Sequence, residues 1–208
     1  MKKCVWMMLG WAVATLSWAA GDREYSLAPA GDVDSAFVER VRVYMEKNAG
    51  AAIRLAPALP IEPGLSLEAI GRAAAKKLGK ADPGIIVLAR AASDQPQGVC
   101  LPDERFAVLN LDRLEAGADD AHRDRRTGQE AVRAMSMLLG MSPCPFPLCL
   151  LVGYEKPEDL DHMSGNFCPP CQGRFSRMAR EAGIHLLEDD LPADDGEGVP
   201  AAVPAAAE

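Results

Sequence analysis

At 208 residues, 49% apolar and 25% charged, the chain has the length and balance of one globular domain with tails. That length suffices for one sizeable hydrophobic core. The formal charge of −8 argues against nucleic acid and anionic membrane as partners.

The N-terminus reads as a separate unit. Lys2 and Lys3 precede an almost wholly apolar run from Cys4 to Trp18, and Ser17-Trp18-Ala19 places small residues at −3 and −1 of a cleavage site. This pattern predicts a secretory signal peptide over residues 1–19 and export to a periplasm or the medium. The run is short for a membrane span, and no second long apolar stretch follows. No stable membrane insertion is therefore expected after cleavage. Cys4 is not in a lipobox-like context.

A first strand is predicted over Tyr25–Ala28, then a turn at Gly31-Asp32 with Asp32 as helix cap. Val33, Phe37, Val38, Val41 and Met45 recur at helical spacing up to a stop at Gly50. A second strand is predicted over Ala51–Leu55, followed by a stiff loop with Pro57, Pro60 and Pro63. Ser66 opens a second helix, striped by Leu67, Ile70, Ala74 and Leu78 and ended by Gly79. The continuous run Ile85–Ala89 suits a strand buried on both faces. Residues 91–104 are turn-rich and predict a loop or ragged edge hairpin, and Phe106–Leu111 reads as another apolar strand. Strands alternating with helices in this way predict a mixed α/β sheet flanked by helices.

Residues 115–127 are dense in charge and read as a solvated linker leading into a helix. Gln129–Met141 is helical in composition and almost encircled by apolar residues, so it should be the central buried helix. Another helix is expected over about residues 169–182. Residues 188–208 contain seven acids, no base and repeated Ala and Pro, which predicts a disordered tail behind a domain of residues 20–187. His122, His162 and His185 share no ligand-like spacing and read as surface residues.

Of six cysteines, Cys4 leaves with the signal, Cys100 stands alone and reads as a buried small hydrophobe, and four cluster. Cys144 and Cys149 have four residues between them, and Cys168-Pro169-Pro170-Cys171 is a C-x-x-C pair. Such pairs suit a tetrahedral zinc site, which the spacing favours. An exported protein can use the same residues as disulfides, and Cys168/Cys171 at a helix start also fit a thiol–disulfide redox motif. Placement near the end of the chain disfavours the redox reading, because a thioredoxin-like domain carries its pair after an early strand.

Residues 133–144, Arg-Ala-Met-Ser-Met-Leu-Leu-Gly-Met-Ser-Pro-Cys, with Cys149 and the Cys168/Cys171 pair behind them, resemble the signature of the archaemetzincins, peptidase family M54. That signature runs His-Glu-x-x-His-x-x-Gly-x-x-His-Cys, followed by a further cysteine and a Cys-x-x-Cys pair. Gly140 and the four cysteines stand where the family has its glycine and cysteines. Glu130-Ala131-Val132 and the strand from Phe106 to Leu114 resemble the family's flanks, so the similarity covers about residues 25–185. The resemblance implies a metzincin-like mixed sheet, with a C-terminal helix clamped by a Cys4 zinc site at Cys144, Cys149, Cys168 and Cys171.

The catalytic half of the signature is replaced. Arg133, Met137 and Pro143 occupy the three histidine positions, and Ala134 occupies that of the glutamate base. Arginine has no lone pair for a cation, alanine cannot move a proton, and proline has no side-chain ligand atom. A methionine thioether suits soft metals rather than hydrolytic zinc. The sequence therefore predicts one structural zinc, no catalytic zinc, and a pseudo-peptidase whose former cleft holds a peptide or protein. The alternatives are a related hydrolase with residual or changed activity, and a disulfide-stabilised or redox protein. Arg133 itself is expected either to substitute for the metal's charge inside the cleft or to point to solvent.

Overall fold

The computed structural model of the protein describes residues 23–62, 64–91 and 94–190. Residues 1–19, expected above to be a signal peptide, Pro63 and most of the acidic tail lie outside the described residues. Five strands and five helices follow in chain order among them: β1 (Tyr25–Ala30), α1 (Ser35–Ala49), β2 (Ile53–Leu55), α2 (Leu67–Ala75), β3 (Ile85–Ala89), β4 (Gly98–Leu101), β5 (Phe106–Asn110), α3 (Leu111–Leu114), α4 (Asp120–Leu138) and α5 (Pro169–Glu181). No helix among the described residues is long and apolar enough to cross a membrane.

The strands form one mixed sheet in the order β2-β1-β3-β5-β4. The first four in that order run parallel, and β4 closes one edge antiparallel to β5, with Val99 opposite Val108. β3 and β5 are buried at every position because helices cover both faces. On one face, α1, α4 and α5 pack over Leu27, Ile86, Leu88, Ala107 and Leu109; on the other, α2 covers Ala28, Val87, Phe106 and Val108. The alternation of side chains along each strand thus feeds two separate cores. Helix α4 lies close against α1 because Gly128 leaves room: a Cβ there would stand 2.5 Å from the Tyr44 ring.

Several expected boundaries move. Asp34, not Asp32, caps α1, accepting from the backbone N–H groups of Ala36 and Phe37. β2 is shorter than Ala51–Leu55, since Ala51 leaves the strand to bridge Leu186. α2 starts at its Ser66 cap but ends at Ala75, where Lys77 and Leu78 tighten into i→i−3 bonds. Leu111 begins α3 rather than ending β5. The charged segment 115–127 is the largest departure: α4 has already begun at Asp120, capped by Asp119, and Arg126 and Thr127 are buried. Arg126 is there to tie α4 down. It grips the Asp161 carboxylate with two bonds of 2.8 and 2.6 Å and donates to the carbonyls of Leu114 and Ala116.

The two ends of the described chain meet. Arg23 bridges Ile184, its N–H bonds the Gly183 carbonyl at 3.1 Å, and the Leu187 N–H bonds the Gly50 carbonyl at 2.9 Å. A short 3-10 turn over Leu187–Asp190 follows.

Candidate metal centre and adjoining cleft

Helix α4 ends at Leu138, and Gly140 takes the left-handed conformation (φ 93°) that reverses the chain. The loop that follows carries Cys144 and Cys149, and α5 begins immediately after Cys168, with Pro169 and Pro170 filling its first positions. This brings the four predicted cysteines together. Their sulfurs all lie within 4.8 Å of one another, and those of Cys144 and Cys168 are 3.9 Å apart. Four thiolates held about 2.3 Å from one ion stand about 3.8 Å apart, so the donor set fits a single tetrahedral zinc. No sulfur pair is bonded, and the arrangement is that of four inward-facing ligands.

Two backbone N–H groups face the sulfurs: that of Phe146 points at Cys144 Sγ and that of Cys168 at Cys149 Sγ, both at 3.5 Å. The Cys168 thiol is held below its ordinary range, first by the backbone N–H of Cys171 and then by neighbouring sulfurs, whereas burial pushes the Cys149 and Cys171 thiols up, the direction that a cation among them would oppose. Cys149, Cys168 and Cys171 are buried, while Phe146 and Leu148, at the tip of the loop between Cys144 and Cys149, are exposed. α5 is held further by its Phe175 ring, stacked on Phe167 at 5.4 Å.

The four degenerate positions of the signature lie in different surroundings. Arg133 is buried, Ala134 and Met137 face a cleft beside β4, and Pro143 is exposed in the loop before Cys144. Arg133 does not point to solvent: only 5% of the residue is accessible. Its Nη1 donates to the carbonyls of Leu150 (2.6 Å) and Val152 (2.7 Å), and its guanidinium lies 4.9 Å from the centre of the Tyr154 ring. Its Nε stands 3.1 Å from Glu130 Oε2, but the N–H is not aligned on that oxygen. The contact is therefore an ion pair without a formed hydrogen bond. A fixed positive charge thus sits inside α4's inner face, paired with a carboxylate one turn away.

The cleft, about 380 Å³, is lined by Gln97–Cys100, Leu109, Glu130, Ala134, Met137, Tyr154 and Glu155. Tyr154 donates to Glu130 Oε2 at 2.8 Å and is itself held by the Gln97 amide. Burial raises the affinity of Glu130 for a proton and outweighs the opposite pull of Arg133 and Tyr154. Burial also raises the Tyr154 hydroxyl, with the Glu130 charge adding to it. Cys100 is half-buried rather than enclosed, and burial pushes its thiol up to about 11, so it is no nucleophile at neutral pH. No motif or spacing singles out Gln97, Tyr154 or Glu155. Glu130 had one available signal, an acid three residues before Arg133 on the same helix face. His122, His162 and His185 lie outside both sites.

No family model matches the sequence, and no curated protein matches it. Solved structures do. The chain is similar to the archaemetzincin of Methanopyrus kandleri, with a TM-score of 0.62 and 16% identity over 76% of this chain and 96% of that one. It is similar to a zinc-dependent peptidase from Methanocorpusculum labreanum, with a TM-score of 0.59 and 16% identity over 73% and 99% of the two chains. A third is the archaemetzincin of Archaeoglobus fulgidus complexed with malonate, with a TM-score of 0.55 and 20% identity over 72% and 99%. The fold of this chain is the archaemetzincin fold, as the signature-like cysteines implied.

Proposed function

We propose that this chain is an exported, non-hydrolytic relative of the zinc peptidases whose fold it shares, stabilised by one zinc at Cys144, Cys149, Cys168 and Cys171 and using its cleft to bind a peptide or protein segment. The observation that carries this reading is Arg133. It stands at the first histidine position of the signature and is locked inward by two carbonyls, an aromatic ring and Glu130. A guanidinium has no lone pair to offer a metal, and its charge would repel one. Ala134 offers no base, and Pro143 no ligand. The residues present thus fit a structural zinc and do not fit a catalytic one.

A peptide is the favoured occupant because β4 is an edge strand beside the cleft. Among the described residues it pairs only with β5, which leaves its other side to take an extended segment, with the cleft receiving a side chain. The acidic charge disfavours nucleic acid, and the apolar N-terminus supports export with cleavage after residue 19.

The test is the zinc content of the purified mature protein, together with a thiol titration. One zinc per chain, with four thiols that react only after chelation and Cys100 counted apart from them, is the expected result. Two zincs would restore the hydrolase reading, and no zinc with no reactive thiol beyond Cys100 would assign the other four cysteines to disulfides.

A further inference from the structure

The peptide reading leaves open which side chain the cleft accepts, and its lining answers that. Every ionisable group on its wall other than the Cys100 thiol and the Tyr154 hydroxyl is a carboxylate: Glu130 and Glu155. No lysine, arginine or histidine lines it, because Arg133 commits its guanidinium to the Leu150 and Val152 carbonyls. Both stabilising contacts of Glu130, from Arg133 and from Tyr154, fall on Oε2. Oε1 accepts no hydrogen bond among the described residues. Apart from the Gln97 amide, which is engaged with Tyr154, the other side chains on the wall are apolar: Val99, Cys100, Leu109, Ala134 and Met137.

An apolar channel with a carboxylate along it is the complement of a long side chain that has an aliphatic stem and a cationic head. The stem can pack on methionine, leucine and alanine while the head takes the free carboxylate oxygen. We infer that the cleft selects a lysine or arginine side chain of a bound peptide, with Glu130 Oε1 accepting its N–H groups and Glu155 adding negative charge at the exposed end. The inference rests on the peptide reading proposed above. It excludes anionic ligands from this cleft, because a carboxylate placed there would face two others with no cation free to meet it.

The experiment uses the zinc-loaded mature protein and three capped peptides, which have no terminal charges: acetyl-Ala-Val-Lys-Val-Ala-amide and the same peptide with norleucine or glutamate at its centre. Titration calorimetry should give the lysine peptide about tenfold or more tighter binding than the norleucine peptide, the gain of a charged hydrogen bond over none, and no measurable binding of the glutamate peptide. Glu130→Gln should bring the lysine peptide down to the norleucine level and leave the norleucine peptide unchanged. Should that variant not fold, Glu155→Gln provides the second arm, with an expected loss of about threefold for the lysine peptide alone, as for a charge nearer solvent. Equal binding of the lysine and norleucine peptides would overturn the inference and leave the peptide reading standing. Absence of binding by all three would overturn both.

Discussion

The segment from Cys144 to Val152 is gripped from two sides, and the two grips differ in what they require. At one side, four cysteines drawn from two distant parts of the chain converge on a point that suits an external ion. At the other, Arg133 reaches out of α4 and holds the Leu150 and Val152 carbonyls with a charge that the chain supplies itself. In the proposed zinc form the first grip depends on metal and on reduced thiols; the second needs neither. A guanidinium cannot be lost to a chelator, and it cannot activate water. Fastening this segment to the central helix is therefore compatible with giving up metal chemistry at the helix while keeping it at the cysteines.

Removing the metal should have the largest effect. Zinc–thiolate sites of this type contribute on the order of 10 kcal/mol of binding free energy, so Cys171→Ser should release the zinc and lower stability by more than about 5 kcal/mol. Chemical denaturation with and without a chelator reads this directly. If wild-type protein unfolds at the same denaturant concentration in both, the first grip is not metal-dependent and the contrast with Arg133 disappears.

Arg133→Met, which keeps the stem and removes the charge, should cost about 3–5 kcal/mol by leaving a buried carboxylate and two carbonyls without their partner. The zinc content should be unchanged. The loss should shrink as the pH is lowered, because Glu130 already binds a proton more readily than usual and a protonated Glu130 no longer needs the arginine. Urea melts at two pH values test both parts. An undiminished stability would make Arg133 a bystander.

A third tie lies outside the contrast and calibrates it. Arg126 and Asp161 are 3% and 14% exposed, so Asp161→Ala should cost about 3 kcal/mol. Arg126 holds the Asp161 carboxyl below its ordinary range. That stabilisation is present above the carboxylate's unfolded value, near pH 4, and is lost as pH falls through the lower native value. The variant should therefore lose less stability than wild type on acidification below about pH 4, as acid titration followed by circular dichroism would reveal. The smallest effect is expected at the loop tip. Phe146→Ser and Leu148→Ser alter exposed side chains and should change stability by no more than about 0.5 kcal/mol. A larger loss in thermal melts would mean that the tip is part of the metal grip.

These two grips were unequally visible in the sequence. The cysteines could be read because their spacing is a local signature, and the strands at Ile85–Ala89 and from Phe106 could be read because a strand buried on both faces needs no alternation. Arg133 could not be placed, since its carbonyl partners lie 17 and 19 residues further on and backbone acceptors leave no trace in residue identity. The cleft shares that obscurity: Gln97 meets Tyr154 across 57 residues. The charged stretch before α4 misled for a related reason. Arg126 reads as solvated until Asp161, 35 residues later, comes to meet it. The choice between Asp32 and Asp34 as cap rested on backbone angles at two acids either side of Val33, which composition does not distinguish.

The pairing of Arg23 with Ile184 sets an order on biosynthesis. The inner strand β1 precedes the rest of the sheet in the chain, yet its N-terminal flank finds its partner only after about 160 further residues have been synthesised. Cys168 and Cys171 emerge in the same late stretch. A nascent chain exposing β1 to α4 therefore already has both faces of its sheet to bury but lacks the α5 cover and half of the cysteine set. It lacks that cover until the residues of α5 and Ile184 have been made. Because those flanks end side by side, a circular permutant that joins them by a short linker and opens the chain in the exposed loop at residues 145–148 would reverse that order, with α5 and its cysteines made first.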